Sequence, residues 1–194
     1  MSLSNEINSA ITSAANLDFV IAKSKYSISL NGLEANHQMT IDSDQKETIN
    51  LVDARHPILG EHGVPLSLQM GPDWTILVIT GPNTGGKTVA IKTVGLLAAM
   101  NQSGIQIPAA AGSELPIFDG IYADIGDQQS ITNSVSTFSS HIKNLNDILD
   151  NCSSRSLLLL DEVGSSTDPE EGSAIAKAVL EYLAENKIQT LITT

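Results

Sequence analysis

The stretch of sequence that decides the fold reads Leu77-Val78-Ile79-Thr80-Gly81-Pro82-Asn83-Thr84-Gly85-Gly86-Lys87-Thr88. Its apolar start predicts a buried strand, and the glycine-rich turn that follows fits the phosphate-binding pattern G-x-x-x-x-G-K-[ST]. The apolar run from Val89 to Met100 then predicts a helix. A glycine turn between a strand and a helix can also arise by chance, but the complete pattern in this context favours a nucleoside triphosphate site.

Each feature of this loop suits the binding of phosphate. Glycines let the backbone turn so that successive N–H groups surround an anion, and the helix that begins near Gly86 directs its positive end at the same anion. We expect Lys87 to reach the β- and γ-phosphates and the Thr88 hydroxyl to ligate Mg²⁺. The nucleotide-binding residues predicted in this stretch are Gly81, Pro82, Asn83, Thr84, Gly85, Gly86, Lys87, Thr88 and Val89.

A second apolar run ends in two adjacent carboxylates, and it reads Leu157-Leu158-Leu159-Leu160-Asp161-Glu162. In a P-loop sheet we expect this strand to lie beside the strand that feeds the phosphate loop, so that its end adjoins Mg²⁺. Asp161 is then predicted to hold the metal, and Glu162 to orient or deprotonate the attacking water. The alternative is an ordinary buried strand with two solvated acids at its tip. Combined with the loop, the pair predicts a Mg²⁺-dependent ATPase with Lys87 and Glu162 as its catalytic residues.

Composition restricts the class of protein. The 194 residues are 41% hydrophobic, enough for the core of one α/β domain with a short appendage. A single cysteine, Cys152, excludes an internal disulfide, and no apolar run is long enough to span a membrane, so we expect a cytoplasmic protein. The 10 basic residues against 22 acidic ones give a net charge of −12, and the basic residues do not cluster. Contact with DNA or RNA is therefore expected mainly outside this segment.

The order of the predicted elements indicates the fold. From Thr48 onward apolar strands alternate with helices, which predicts a mostly parallel sheet covered on both faces, with antiparallel strands near the nucleotide site. Before this region, apolar spacing predicts a helix from Asn5 to Lys23, and alternation predicts a short strand from Tyr26 to Leu30. We therefore divide the chain into an N-terminal helix with a connecting segment, residues 1–47, and an α/β P-loop NTPase domain, residues 48–194.

At three separate places the sequence resembles the MutS ATPase domain: residues 81–88, residues 161–169 and Ser136-Thr137-Phe138. Two further stretches favour the branch of the second bacterial MutS paralogue, which suppresses recombination and carries a small MutS-related (Smr) domain: Ile107-Pro108-Ala109-Ala110 and the run from Asp124 to Ser130. Arg55-His56-Pro57 also matches the family, beside its nucleotide site. The resemblance covers about Leu51 to Thr194.

The resemblance implies an ABC-type (MutS-like) P-loop fold and a homodimer that sandwiches two ATP molecules head to tail. Ser134, Ser136 and Thr137 would then face the ATP of the other subunit, although hydroxyls at the start of a helix also suit a simple cap. The adenine would pack near His56 or near Val64-Pro65-Leu66, and the alternative for His56 is a structural histidine. We expect His141 at the surface.

For the parent protein, the resemblance implies an ATP hydrolase whose cycle opens and closes a dimeric clamp on mismatched or otherwise distorted DNA, or on a ribosome. It also implies a nuclease domain elsewhere, and a histidine after Thr194, so we expect the ATPase domain to be truncated at its C-terminus. An alternative from another class is an ATP-dependent dimerisation module with little hydrolysis of its own. An ABC transporter ATPase is disfavoured because no Leu-Ser-Gly-Gly-Gln signature precedes Asp161.

Overall fold

The computed structural model of the chain describes residues 2–35, 48–71, 73–126, 134–164 and 168–194, with the side chains of Ser2, Asn83 and residues 134–140 outside the description. No helix in these ranges is long and apolar enough to cross a lipid bilayer. The elements in chain order are α1 (Ser2–Ser29), β1 (Ile49–Ala54), β2 (Leu66–Met70), β3 (Ile76–Ile79), α2 (Lys87–Gln102), β4 (Gly120–Asp124), α3 (Ser134–Asn151), β5 (Ser156–Leu160), α4 (Pro169–Glu185) and β6 (Gln189–Thr193).

Four parallel strands form the central sheet, in the order β3-β6-β5-β4. Strands β5 and β6 are buried along their whole length, as expected for apolar runs in the middle of a covered parallel sheet. The parallel arrangement brings the carboxyl ends of all four strands to one edge. The predicted parallel sheet is confirmed, but the prediction that β5 lies beside β3 was wrong, because β6 pairs with both and separates them.

Helices cover both faces of the sheet, as the side chains of β5 demonstrate. Leu157 and Leu159 pack into an apolar cluster with α2, whereas Leu158 and Leu160 pack into a second cluster with α3 and α4. Each of these buried leucines stabilises the fold by about 1.5 to 3 kcal/mol through removal from water. Helix α2 lies so close to the sheet that a Cβ built on Gly95 would stand 2.2 Å from the Leu159 Cδ1 atom.

A separate two-stranded antiparallel sheet pairs β1 with β2, which confirms the predicted antiparallel strands. The register shifts between Leu51 and Ala54, where Asp53 has a φ of 47°. Strand β1 is tied to the segment before β4 by two backbone hydrogen bonds between Asn50 and Glu114, at 2.9 and 2.7 Å. Whether this small sheet adjoins a bound nucleotide stays a prediction.

Helix α1 is longer than the sequence predicted. It continues into the stretch Tyr26–Leu30, for which a strand was predicted, and ends at Ser29. Lengthening an existing helix adds one hydrogen bond per residue without a new nucleation cost, whereas a strand needs a partner. Near its end α1 meets the domain: Lys23 Nζ donates to the Ser103 carbonyl at 3.0 Å, and the Ser27 hydroxyl accepts from the Gln106 N–H at 3.1 Å. The predicted domain boundary between residues 47 and 48 stays a prediction, since residues 36–47 lie outside the described ranges.

Candidate functional site

The loop after β3 is shaped by two glycines with backbone angles that other residues rarely adopt. Gly81 has a φ of 143° and Gly86 a φ of 81°. A Cβ built at either position would meet nothing within 4 Å, so the glycines border open space rather than packed protein. Between them, Asn83–Gly85 form a 3₁₀ turn closed by a hydrogen bond from the Gly85 N–H to the Pro82 carbonyl at 2.9 Å. The loop is therefore an open cradle of backbone.

Lys87 begins α2 and turns its side chain back over this loop. The residue is only 5% exposed, and its ammonium donates a hydrogen bond to the Gly81 carbonyl. Gly86 at the helix N-cap has no side chain to bind the first N–H groups of α2, and Thr88 and Val89 follow in the same turn. The N–H groups of a first helical turn and an ammonium at the same helix end make a concentrated positive charge, for which phosphate is a suitable ligand.

Asp161 and Glu162 form a turn directly after β5. The Asp161 N–H donates to the Asp124 carbonyl at 2.9 Å, which extends the sheet pairing one residue beyond the strand. Glu162 has a φ of 51°, a conformation that costs a residue with a side chain about 1 to 3 kcal/mol. Its N–H donates to the Thr193 hydroxyl oxygen at 2.9 Å, and the same hydroxyl donates to Asp161 Oδ1. We call Asp161 and Glu162 the acidic turn.

Residues 81–86, which we call the glycine loop, lie at the same edge of the sheet as the acidic turn. Ile79 of β3 is in register with Thr193 of β6, and Leu160 of β5 is in register with Ile192 of β6. The loop and the turn thus each follow the carboxyl end of a strand, with one strand between them. Two strand spacings correspond to about 10 Å between the axes of β3 and β5. Side chains of opposite charge therefore lie along this edge: the Lys87 ammonium beside the glycine loop and the carboxylates of Asp161 and Glu162 in the acidic turn.

Oxygen ligands suited to a hard cation are present at this edge. They are the Asp161 carboxylate, which directly follows β5, and the Thr88 hydroxyl, which lies in the first turn of α2. Mg²⁺ is typically bound by one or two carboxylates, with phosphate oxygens and waters as its other ligands. No three His, Cys, Asp or Glu residues of the described ranges lie together as a metal site, and a cation that arrives with phosphate does not need such a group. The residues therefore fit Mg²⁺ bound with a nucleotide.

A polar cluster beside the acidic turn was missed by the sequence analysis. Asp124, at the end of β4, accepts a hydrogen bond from Asn144 Nδ2 at 2.8 Å, and its other carboxylate oxygen lies 3.3 Å from His141 Nδ1. His141, predicted at the surface, is partly exposed at 29% of its side chain, and its contact with Asp124 was not predicted. The i, i+3 spacing of His141 and Asn144, which places both on one helix face, was the signal available in the sequence.

The remaining predicted site residues fall outside these two loops. His56 Nδ1 accepts a hydrogen bond from the Ile58 N–H at 3.3 Å within its own turn, and an adenine contact there stays a prediction. Ser134, Ser136 and Thr137 lie in the first turn of α3, but their side chains are outside the described part of the structure. Their proposed contact with the ATP of a partner subunit stays a prediction.

The chain resembles several known proteins. A family model described as MutS domain V matches residues 77–194. The chain is 50% identical over 181 residues to Endonuclease MutS2 of Geobacillus sp. (strain WCH70), which is 93% of this chain and 22% of that protein. It is 56% identical over 147 residues to Endonuclease MutS2 of Caldicellulosiruptor bescii, which is 75% of this chain and 19% of that protein. The chain thus spans about a fifth of the length of these curated relatives.

These comparisons correct the identification made from the sequence. The sequence predicts the MutS family ATPase domain, in the recombination-suppressing branch of the second bacterial MutS paralogue. The model that matches is MutS domain V and begins at Leu77, and the relatives are named endonucleases. Neither description mentions ATPase activity or recombination. The identification that stands is MutS domain V.

Proposed function

The chain belongs to the MutS family, of which it carries domain V over residues 77–194, and on this premise we propose that it binds ATP with Mg²⁺ and hydrolyses it. One observation supports the proposal: the glycine loop, with the buried Lys87, and the acidic turn, with Asp161 and Glu162, lie at the same edge of the sheet with β6 between them. Under this proposal the sheet is that of a P-loop NTPase of the ABC type.

The residues of the glycine loop and of α2 bind the triphosphate in this proposal. Backbone N–H groups of the loop and of the first helical turn donate to phosphate oxygens. The Lys87 ammonium exchanges the neutral Gly81 carbonyl for a charged phosphate oxygen, which is a stronger acceptor. Thr88 and Asp161 hold Mg²⁺, directly or through water. When bound, the cation neutralises charge on the phosphate oxygens.

The two acids have separate roles in the reaction. One oxygen of Asp161 accepts a hydrogen bond from the Thr193 hydroxyl, which orients this carboxylate and suits it to hold a cation. Glu162, the next residue, orients the attacking water and accepts its proton, as a general base must do. Glu162 has a left-handed backbone, which turns the chain directly after Asp161.

For the parent protein we propose a homodimeric DNA-binding protein in which ATP binding and hydrolysis gate a clamp. The relatives' name, endonuclease, supports DNA as the partner. The net charge of −12 makes this segment a poor ligand for a phosphate backbone, so the DNA contact is assigned to the rest of the parent chain. Dimerisation through the nucleotide sites would bring Ser134, Ser136 and Thr137 of one subunit to the ATP of the other. A ribosome is the second candidate partner, by resemblance alone.

Calorimetric titration of the 194-residue chain with Mg²⁺·ATP tests nucleotide binding. Lys87→Ala should weaken binding by about tenfold or more, because a hydrogen bond to a charged group contributes about 1.5 to 3 kcal/mol. Lys92→Ala is the matched control, since Lys92 is an exposed lysine on the same helix. Unchanged binding by Lys87→Ala would refute the assignment of the loop.

A phosphate-release assay tests hydrolysis separately. Glu162→Ala should bind Mg²⁺·ATP but turn over about 10² to 10⁴ times more slowly, the range attributed to general acid–base catalysis. Glu185→Ala, which removes an exposed carboxylate at the end of α4, should leave turnover unchanged. If the unmodified chain binds Mg²⁺·ATP and dimerises in light scattering without releasing phosphate, the dimerisation module is the better description of this segment.

A further inference from the structure

Thr193 lies at the end of β6, the strand that separates the glycine loop from the acidic turn. The residue is fully buried, at 0% exposure. Its hydroxyl oxygen accepts a hydrogen bond from the Glu162 N–H at 2.9 Å, and the hydroxyl donates to Asp161 Oδ1. One hydroxyl on the middle strand therefore contacts both residues of the acidic turn, and neither the glycine pattern nor the acidic pair pointed to it.

The direction of both hydrogen bonds follows from chemistry. A peptide N–H can only donate, so the Thr193 oxygen must be the acceptor towards Glu162. The hydroxyl also has one proton to donate, and it donates this proton in a hydrogen bond to Asp161 Oδ1. The bond engages Oδ1 of Asp161 and thereby sets the direction in which its second oxygen points.

We propose that Thr193 is a positioning residue that orients the Asp161 carboxylate towards Mg²⁺ and holds the backbone turn that carries Glu162. The inference rests on the proposed function, since it assigns Thr193 a part in that same site. The left-handed conformation of Glu162 supports it, because a strained backbone persists only where surrounding contacts hold it. The Thr193 hydroxyl is one such contact, from a side chain 31 residues away in sequence.

A second threonine on the same strand provides a matched control. Thr190 is equally buried, at 0% exposure, but its hydroxyl donates to the Ile188 carbonyl at 3.1 Å, two residues away in its own chain segment. Both threonines contribute a buried hydroxyl to β6, and only Thr193 contacts the acidic turn. Replacement of either by valine removes a hydroxyl of the same kind, so a difference between them isolates the contact with the acids.

The test measures nucleotide affinity by calorimetry, once with Mg²⁺ and once with EDTA, on the unmodified chain and on variants. Thr193→Val should weaken the affinity for ATP with Mg²⁺ about tenfold, the lower end for loss of a group that orients a metal ligand, and should leave the affinity in EDTA unchanged. Thr193→Ser, which keeps the hydroxyl, should bind within about threefold of the unmodified chain. Thr190→Val should match the unmodified chain in both conditions.

Three outcomes would overturn the inference. Equal affinities of Thr193→Val and the unmodified chain with Mg²⁺, or an equal loss with and without Mg²⁺, would assign Thr193 a structural role only. If circular dichroism shows that Thr193→Val does not fold, Thr193→Cys replaces it, because a thiol is a weaker hydrogen-bonding group than a hydroxyl. Thr193→Cys should then show the same Mg²⁺-dependent loss of affinity, and no such loss would overturn the inference. An unmodified chain that does not bind ATP with Mg²⁺ would refute the proposed function itself, and the inference with it.

Discussion

Gly172→Ala should destabilise the protein, although alanine is the better helix former. Gly172 is buried in the first turns of α4, where its backbone lies against Gly164, two residues beyond the acidic turn. A Cβ built on Gly172 would stand 2.1 Å from the Gly164 carbonyl oxygen. Gly164 itself has a φ of 82°, and a Cβ there would stand 2.3 Å from the Gly172 carbonyl oxygen. The two segments pack backbone against backbone.

The expected magnitude follows from two opposing effects. Alanine gains about 1 kcal/mol over glycine inside a helix. A carbon and a carbonyl oxygen normally approach to about 3.3 Å, so one of the two backbones must move by about 1 Å. Overpacking of this kind costs about 1 to 3 kcal/mol, and backbone is less able to yield than a side chain, so the upper half applies. The net loss is about 1 to 2 kcal/mol.

Urea denaturation followed by circular dichroism measures this loss directly. The midpoint should fall while the slope stays constant, because the surface exposed on unfolding does not change. In a thermal scan the same loss corresponds to a melting temperature lower by about 2 to 8 °C for a chain of this size.

Ser173→Ala is the control, at the next position of the same helix. Ser173 is exposed, so alanine there should leave stability unchanged or raise it by about 0.5 kcal/mol. If Gly172→Ala also raised the stability, helix propensity alone would be acting, and the close packing of α4 against Gly164 would be refuted.

Gly95→Ala should cost up to about 2 kcal/mol in urea denaturation, because a Cβ 2.2 Å from Leu159 Cδ1 costs about 1 to 3 kcal/mol and the gain in helix propensity offsets about 1 kcal/mol. The cost should shrink in a Leu159→Ala background, and additive effects would contradict the contact. Asn144→Ala should cost about 0.5 to 1.5 kcal/mol through loss of its 2.8 Å hydrogen bond to Asp124, whereas Lys143→Ala, at an exposed neighbouring position, should change stability by less than about 0.5 kcal/mol. Burial raises the pKa of the Cys152 thiol, and a backbone hydrogen bond lowers it by less. Because a smaller fraction of this thiol is ionised near neutral pH, iodoacetamide should alkylate Cys152 more slowly in the native chain than in urea. Equal rates of alkylation would contradict this prediction.

Local patterns in the sequence were sufficient to predict most elements of the fold. The apolar runs before Gly81 and Asp161 are strands, and the stretch after Gly86 is a helix, because burial on both faces and helical spacing each leave a signature within a few residues. The stretch Tyr26–Leu30 was mispredicted because five residues of alternation cannot be distinguished from the end of a long helix without knowledge of a pairing partner.

The sequence by itself determined the type of each main element, the loop that holds Lys87 and the acidic pair Asp161 and Glu162. Only the tertiary structure decided that β6 lies between β3 and β5, and therefore that Thr193 contacts both acids. It also decided that His141 faces Asp124 and that Gly172 packs on Gly164. The physical reason is that strand order and such contacts join residues that are distant in sequence, and the free energy of those pairings depends on the whole core. A pattern of neighbouring residues indicates only which face of an element is buried.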